Sequence, residues 1–196
     1  REHTVDRPAA GFVSIAGGKY TTYRVMAKDV VDRAVIELRK ITQDSVTEKL
    51  PLVGADGYFA LEQQKERIAQ ESGLAVETVT HLLNRHGSLI SELLEIIEDQ
   101  PKLAQKLDAA LPYIKAEIVY AASHEGAQSV DDVISRRTRL SFEAINHAVH
   151  LAEEVATLIA PVLGWSAKER KASIAQYLEM VEREKVALTE LLEVNS

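Results

Sequence analysis

The spacing of hydrophobic and polar positions changes once along the chain, near residue 20. Before it, Phe12-Val13-Ser14-Ile15-Ala16 is a short, partly β-branched apolar run that stops at Gly17-Gly18, the pattern of a buried strand ending in a glycine turn. After it, Tyr23, Ala27, Val30, Val31, Ala34, Leu38 and Ile41 recur at helical spacing, with Arg24, Lys28, Asp32, Arg39 and Lys40 on other faces. Asp29–Arg33 and Arg33–Glu37 add i,i+4 pairs, so an amphipathic helix is predicted over 20–42. Residues 43–57 have no period and carry Asp44, Ser45, Pro51, Gly54, Asp56 and Gly57, the residues of a linker. Helical spacing returns at Tyr58 and runs to Glu71, ended by Ser72-Gly73; further helices are predicted at 76–86, 88–98, 101–110, 113–125, 130–137, 141–163 and 167–192. Gly87 and Gly164 stand where a helix C-terminal glycine belongs. Ser129 with Asp132, and Ser166 with Glu169, are capping-box starts.

The expected fold is therefore mainly α. Residues 1–42 form a strand-plus-helix remnant of another domain, 43–57 a linker, and 58–196 an all-helical domain. A lone strand leaves both edges unpaired, and no second convincing strand is legible. Phe12–Ala16 is accordingly expected to be displaced, paired with another copy of the chain, or recruited as helix or coil. The chain reads as a fragment, and exposed apolar surface on the Tyr23–Ile41 helix would favour a homodimer.

Composition narrows the function. With 46% hydrophobic and 27% charged residues the 196-residue chain can build a core. The most apolar run, Val155 to Trp165, is broken by Pro161 and Gly164 and is shorter than the roughly 18 residues a membrane span needs. No basic-then-apolar signal peptide opens the sequence. Zero cysteines exclude disulfides, thiolate metal sites and cysteine nucleophiles, which fits a reducing compartment. A net charge of −7 argues against nucleic acid as a partner. That charge is uneven: residues 1–42 hold eight basic and five acidic side chains, whereas the rest hold 15 and 25. The front of the chain is suited to meet an anion.

The chemistry-bearing segment is Ile15-Ala16-Gly17-Gly18-Lys19-Tyr20-Thr21-Thr22-Tyr23-Arg24. A strand feeds two glycines, a lysine and two threonines into a helix start, where free N–H groups and about half a positive charge await an anion or an electron-rich carbonyl. The spacing is neither a Walker loop nor GxGxxG, and a tight turn with a capped helix and a solvated Lys19 is the competing reading. Glu143, His147, His150 and Glu154 would share one face if 141–163 were a single helix, but no second helix offers matching ligands; a solvated polar face is favoured and no metal is assigned. Arg136, Arg137 and Arg139 either reach a neighbouring domain across an interface or read an anion there, or they pair with Asp131, Asp132 and Glu143 on a solvated helix end, the favoured reading. Arg24 is given a structural role, holding the helical domain against the first helix. Trp165 is given core packing. No serine–histidine–acid set stands out, and no catalytic base is identified.

Arg1-Glu2-His3, with the run from Gly11 to Ala27, resembles the end of the flavin domain of FAD-dependent glycerol-3-phosphate dehydrogenases, where an aliphatic strand leads into GGK-x-TTYR and a helix. Ala116-Glu117-Ile118-Val119-Tyr120-Ala121-Ala122 and Ser129 to Leu140, with its Arg136-Arg137-Thr138-Arg139, resemble the "AEV-YA … L-DVL-RRTRL" stretch of that family's C-terminal helical domain. His81 to Gly87 is similar to the family's "L-x-x-RYG" turn, with His86 where tyrosine is usual. The resemblance spans nearly the whole chain. It implies that the intact enzyme oxidises sn-glycerol 3-phosphate to dihydroxyacetone phosphate by hydride transfer to FAD, with electrons passing to quinone. It also implies that this chain, lacking GxGxxG, is the C-terminal part and is inactive alone. Gly17, Gly18, Lys19, Thr21 and Thr22 are then expected on the flavin side. Lys19 is a second candidate for the substrate phosphate, and Arg1 aligns with an arginine beside the active site. The implied location is cytoplasmic, at the inner face of the cell membrane, through peripheral attachment by other parts of the protein, since residues 58–196 show no basic amphipathic anchor. A glycerol-3-phosphate oxidase using oxygen and a stand-alone helical interaction module are the alternatives.

Overall fold

Residues 2–38 and 42–194 are described by the computed structural model. Arg1 and the predicted continuation of the first helix through Arg39, Lys40 and Ile41 lie outside the described residues. The chain divides into two units, Arg1–Leu52 and Val53–Ser196.

In the first unit, Phe12–Ala16 has not lost its sheet. Strand β2 (Phe12–Gly17) pairs antiparallel with β1 (His3–Ala9), in a register that sets His3 against Gly17 and Val5 against Ile15. β1 went unread because Asp6, Arg7 and Pro8 break its apolar alternation. A two-stranded sheet tolerates that proline, since every strand is an edge, and the ladder is irregular between Asp6 and Ala9, where Pro8 sits. A short 3₁₀ turn, Tyr20–Thr22, leads into α1 (Tyr23–Leu38). His3 Nε2 lies 2.7 Å from Asp29 Oδ2, tying the first strand to that helix. Arg24 donates from Nη1 to the Thr47 carbonyl and from Nε to the Tyr23 hydroxyl at 3.1 Å, both within this unit.

The second unit is helical. Its first four helices are α2 (Tyr58–Glu62), α3 (Lys65–Ser72), α4 (Val76–His86) and α5 (Ile90–Asp99). They are followed by α6 (Lys115–Ser123), α7 (Leu140–Glu143), α8 (Ala152–Leu163) and α9 (Ala167–Val194). Two apolar clusters form the core, one around Leu82, Leu83, Leu93 and Ile97, the other around Val133, Ile134, Val155, Ile159 and Tyr177. Helix α6 joins them: Ala116 and Tyr120 belong to the first cluster, Ile118, Ala121 and Ala122 to the second. A helix apolar on all sides is one packed from all sides, and this places Glu117 deep in the unit.

Both predicted capping boxes form. Asp132 N–H donates to Ser129 Oγ at 3.0 Å while Ser129 Oγ donates back to Asp132; Ser166 N–H and Oγ both donate to Glu169 Oε2 at 2.7 Å. Trp165 follows Gly164, its N–H closing on the Ala160 carbonyl at 2.9 Å, and its side chain packs on the second core cluster.

Three predicted helices are corrected. The 58–71 segment breaks into α2 and α3. Only Pro101–Ala104 of 101–110 is helical, as a 3₁₀ turn. Beyond it Leu107 N–H bonds the Tyr113 carbonyl at 2.9 Å, and the Asp108 carboxylate captures the Ala110 N–H at 2.7 Å, a local bond that competes with helix. The 141–163 segment is interrupted at Asn146, His147 and Ala148, each with φ of 54°. Buried Ala148 and the Tyr177 hydroxyl, which donates to the His147 carbonyl, hold that bend against the core. Within the predicted 130–137 helix, Asp132–Arg137 form a π-helical turn.

The close approach of Gly54 and Gly87 fixes the start of this unit. Ser88 N–H donates to the Gly54 carbonyl at 2.8 Å, and a methyl group on Gly87 would lie 1.9 Å from that oxygen. No helix among the described residues is long and apolar enough to cross a membrane.

Candidate functional site

The structure gathers Gly17, Gly18, Lys19, Thr21 and Thr22 into one turn between β2 and α1. Gly17 and Gly18 take φ of 84° and 77°, a left-handed backbone that favours glycine. A methyl group at Gly17 would meet the Glu2 carbonyl oxygen at 2.8 Å, and one at Gly18 would meet Met26 Sδ at 2.6 Å. The glycines thus let the turn fold tightly against its own strand and helix. Thr22 stitches the helix start: its Oγ1 donates to the Lys19 carbonyl at 2.9 Å and faces the Lys19 N–H at 3.4 Å. Its hydroxyl is therefore spent on the cap. Thr21 and Lys19 are exposed, and the Lys19 ammonium makes no ion pair with any described residue. Tyr20, 89% exposed, stacks on Tyr23 at 5.7 Å between ring centres. The result is a rigid backbone corner carrying helix-start N–H groups, a free hydroxyl and a free cation. That donor set suits an anion or the carbonyl edge of a ring that gains negative charge, and it offers neither a nucleophile nor a base.

A second polar cluster lies in the helical unit and was not assembled from the sequence, although its residues sit in two of the motifs quoted above. Glu117 is 2% exposed. His81 Nε2 donates to its carboxylate at 3.0 Å, Ile114 N–H at 2.9 Å and His86 Nε2 at 3.5 Å, while Arg85 Nε lies 3.3 Å away. Burial alone would push this carboxyl up; the bonds from His81, His86 and Ile114 outweigh it and hold its pKa at about 2. The Tyr113 ring packs edge-on to His81 and beneath the Arg85 guanidinium, 5.2 Å from its centre. His81, Arg85 and His86 in the second half of α4 facing an acid of α6 is the signal that was available. The cluster is closed and its carboxylate saturated, so it holds helices together rather than reacting.

The remaining candidates separate. Because 141–163 is not one helix, Glu143, His147, His150 and Glu154 do not form one face: His150 Nε2 pairs with Asp108 at 2.9 Å and Glu154 with Lys115 at 2.8 Å. Among the described residues no group of three or more His, Asp or Glu could hold a metal. Arg136 pairs with Asp131 and with Asp132, the latter at 3.1 Å, and Arg137 Nε donates to the Glu125 carbonyl at 2.7 Å. Arg139 is exposed and has no side-chain partner among the described residues.

A helical domain entered from a strand–glycine–helix unit is the class these observations define. Residues 45–170 match the C-terminal domain of alpha-glycerophosphate oxidase, and the chain belongs to that family. It is 48% identical over 184 residues to a protein of Mycobacterium bovis named glycerol-3-phosphate dehydrogenase 2, covering 94% of this chain and 32% of that protein. It is 47% identical to glycerol-3-phosphate dehydrogenase of Mycobacterium leprae, with the same coverage. A mitochondrial glycerol-3-phosphate dehydrogenase of Arabidopsis thaliana is 31% identical over 195 residues, covering 93% of this chain and 31% of the relative. The chain spans about a third of the length of the curated relatives it matches.

Proposed function

We propose that this chain is the C-terminal part of a flavin-dependent oxidoreductase that converts sn-glycerol 3-phosphate to dihydroxyacetone phosphate and passes the electrons to quinone. Residues 1–42 would end the flavin domain, 43–57 would link, and 58–196 would form the helical domain. The observation that carries the reading is the Gly17-Gly18 turn, which presents the start of α1 beside a Lys19 that has no side-chain partner among the described residues. The names of the relatives support the substrate.

FAD, when bound, supplies the hydride acceptor. The contribution of this chain is electrostatic. Helix-start N–H groups and the dipole of α1 stabilise negative charge arriving at the ring edge. Because Thr22 locks the turn, those donors are in place beforehand and need no reorganisation. Thr21 adds a hydroxyl donor. Lys19, a flexible point charge, attracts either the flavin edge or the phosphate of the substrate, and the resemblance assigns Arg1 a role beside the active site. The chain alone holds too little of such a site for turnover. We place the complete enzyme on the cytoplasmic face of the membrane, attached peripherally through other parts, and assign it a homodimer.

Oxygen as the electron acceptor is the second reading, favoured by the family's naming after an oxidase. The complete protein, given glycerol 3-phosphate, is expected to reduce a quinone analogue without releasing peroxide. Peroxide release would select the oxidase reading, and a colourless protein would leave only a helical interaction module.

A further inference from the structure

The backbone from Arg137 to Arg139 is held by three side-chain hydrogen bonds, although Arg139, Phe142 and Ile145 are exposed. Thr138 Oγ1 donates to the Val133 carbonyl at 2.7 Å. Tyr113, 1% exposed, accepts the Arg139 N–H on its hydroxyl at 3.0 Å. From the end of α4, Arg85 donates to the Arg137 carbonyl. Fixed in this way, the backbone turns Arg139 outward with no side-chain partner among the described residues, followed by Phe142 and Ile145 at 83% and 89% exposure. Arg139 and Phe142 border an open cleft of about 470 Å³ that Ser135, Thr138 and Glu143 also line.

A rigid backbone offering one free guanidinium beside bare aromatic and aliphatic side chains has the composition of a protein interface, where aromatic residues and arginine dominate. Rigidity lowers the ordering cost of binding. Large apolar side chains left bare together mark a surface that something covers.

The length of chain outside the structure selects the occupant. The chain reaches the helical unit at Val53 and is fastened by Gly54 against Gly87, directly after α4. Arg85, which holds the Arg137 carbonyl, lies two residues before Gly87 on the same helix end. The braced residues and Gly54, near the start of this unit, are therefore both held at the end of α4. The relatives are about three times as long as the part matched, and the matched family is a C-terminal domain, so their additional chain precedes it.

We propose that Arg139, Phe142 and Ile145 form the docking face on which the polypeptide upstream of Arg1 seats, with Arg139 set on a carboxylate and Phe142 in an apolar pocket of that region. This rests on the reading that the chain is the C-terminal part of a longer enzyme. The test places the photo-crosslinking residue p-benzoylphenylalanine at position 142 of the complete protein and maps the products by mass spectrometry. Expected are cross-links within one polypeptide to a segment upstream of Arg1, with yield falling at least tenfold in Arg139→Glu and retained in Arg139→Lys. Cross-links between two copies, cross-links only within this chain, or none, overturn the proposal. Flavin absorbance of the same sample keeps the two claims apart. A yellow protein without the upstream cross-link rejects the docking face alone, and a colourless protein with it rejects the flavin reading alone.

Discussion

His81 Nε2 sits 3.0 Å from Glu117 Oε1 although 36 residues separate them in the chain. This contact joins α4 to α6, the helix shared by both core clusters, and Glu117 is the buried anion on which His81, Arg85 and His86 converge. Removing its charge leaves Arg85 without its counter-ion and two imidazoles with a weaker acceptor. Breaking a buried pair from one side costs about 3–5 kcal/mol. Glu117→Gln keeps the shape and is expected to lower unfolding stability toward the lower end of that range, read as a shift of the urea midpoint at pH 7.

The same carboxylate sets an acid limit. Its pKa is lowered from 4.5 in the unfolded chain to about 2 in the fold. A depressed carboxyl pKa stabilises the fold fully above the unfolded value, and that stabilisation is lost as pH falls through the folded value. The shift corresponds to roughly 3 kcal/mol at about 1.4 kcal/mol per unit. Urea midpoints measured from pH 6 down to pH 2 are expected to fall below pH 4.5, with a shallower fall in Glu117→Gln.

Gly87→Ala tests the anchor at the start of the helical unit. The new methyl would lie 1.9 Å from the Gly54 carbonyl oxygen, a backbone atom that no side-chain rotation can clear, at a φ of 59°. Overpacking and left-handed backbone together cost about 2–5 kcal/mol. The variant is expected to unfold at lower urea and to lose amide protection at Ser88, whose N–H bonds Gly54. An unchanged midpoint would show that this approach is looser than described.

The glycine corner gives a kinetic expectation for the complete enzyme. Lys19 has no side-chain partner among the described residues, so Lys19→Ala costs the fold little. If the ammonium meets the substrate phosphate, KM rises about tenfold or more with a smaller change in kcat, because a charge-assisted bond contributes about 1.5–3 kcal/mol. If it faces the flavin, the change falls on the flavin potential instead. Thr22→Val removes the cap and is expected to lower stability by about 1 kcal/mol.

Legibility followed the range of the interactions. The β2 run, the glycine turn, α4 and the two capping boxes are local, and their residues declare them. β1 was hidden because charges and Pro8 sit in a strand that only a two-stranded sheet accepts. The helix over 141–163 failed at Asn146–Ala148, where contacts to Tyr177, some 30 residues away, override a helical period. The Glu117 cluster was invisible as a unit although Glu117, His81, Arg85 and His86 lay in recognised motifs, because only the packing of α4 on α6 brings them together. In the glycine corner the residue types were readable, but not that Thr22 is consumed by the helix cap while Lys19 is left free.

The most direct test of the flavin-facing role of this corner is the absorption spectrum of the complete purified protein, before and after addition of glycerol 3-phosphate under anaerobic conditions. Expected is a yellow protein whose visible flavin band bleaches on addition of that substrate, with slower bleaching in Lys19→Ala. A colourless protein, or a yellow one indifferent to glycerol 3-phosphate, would contradict it.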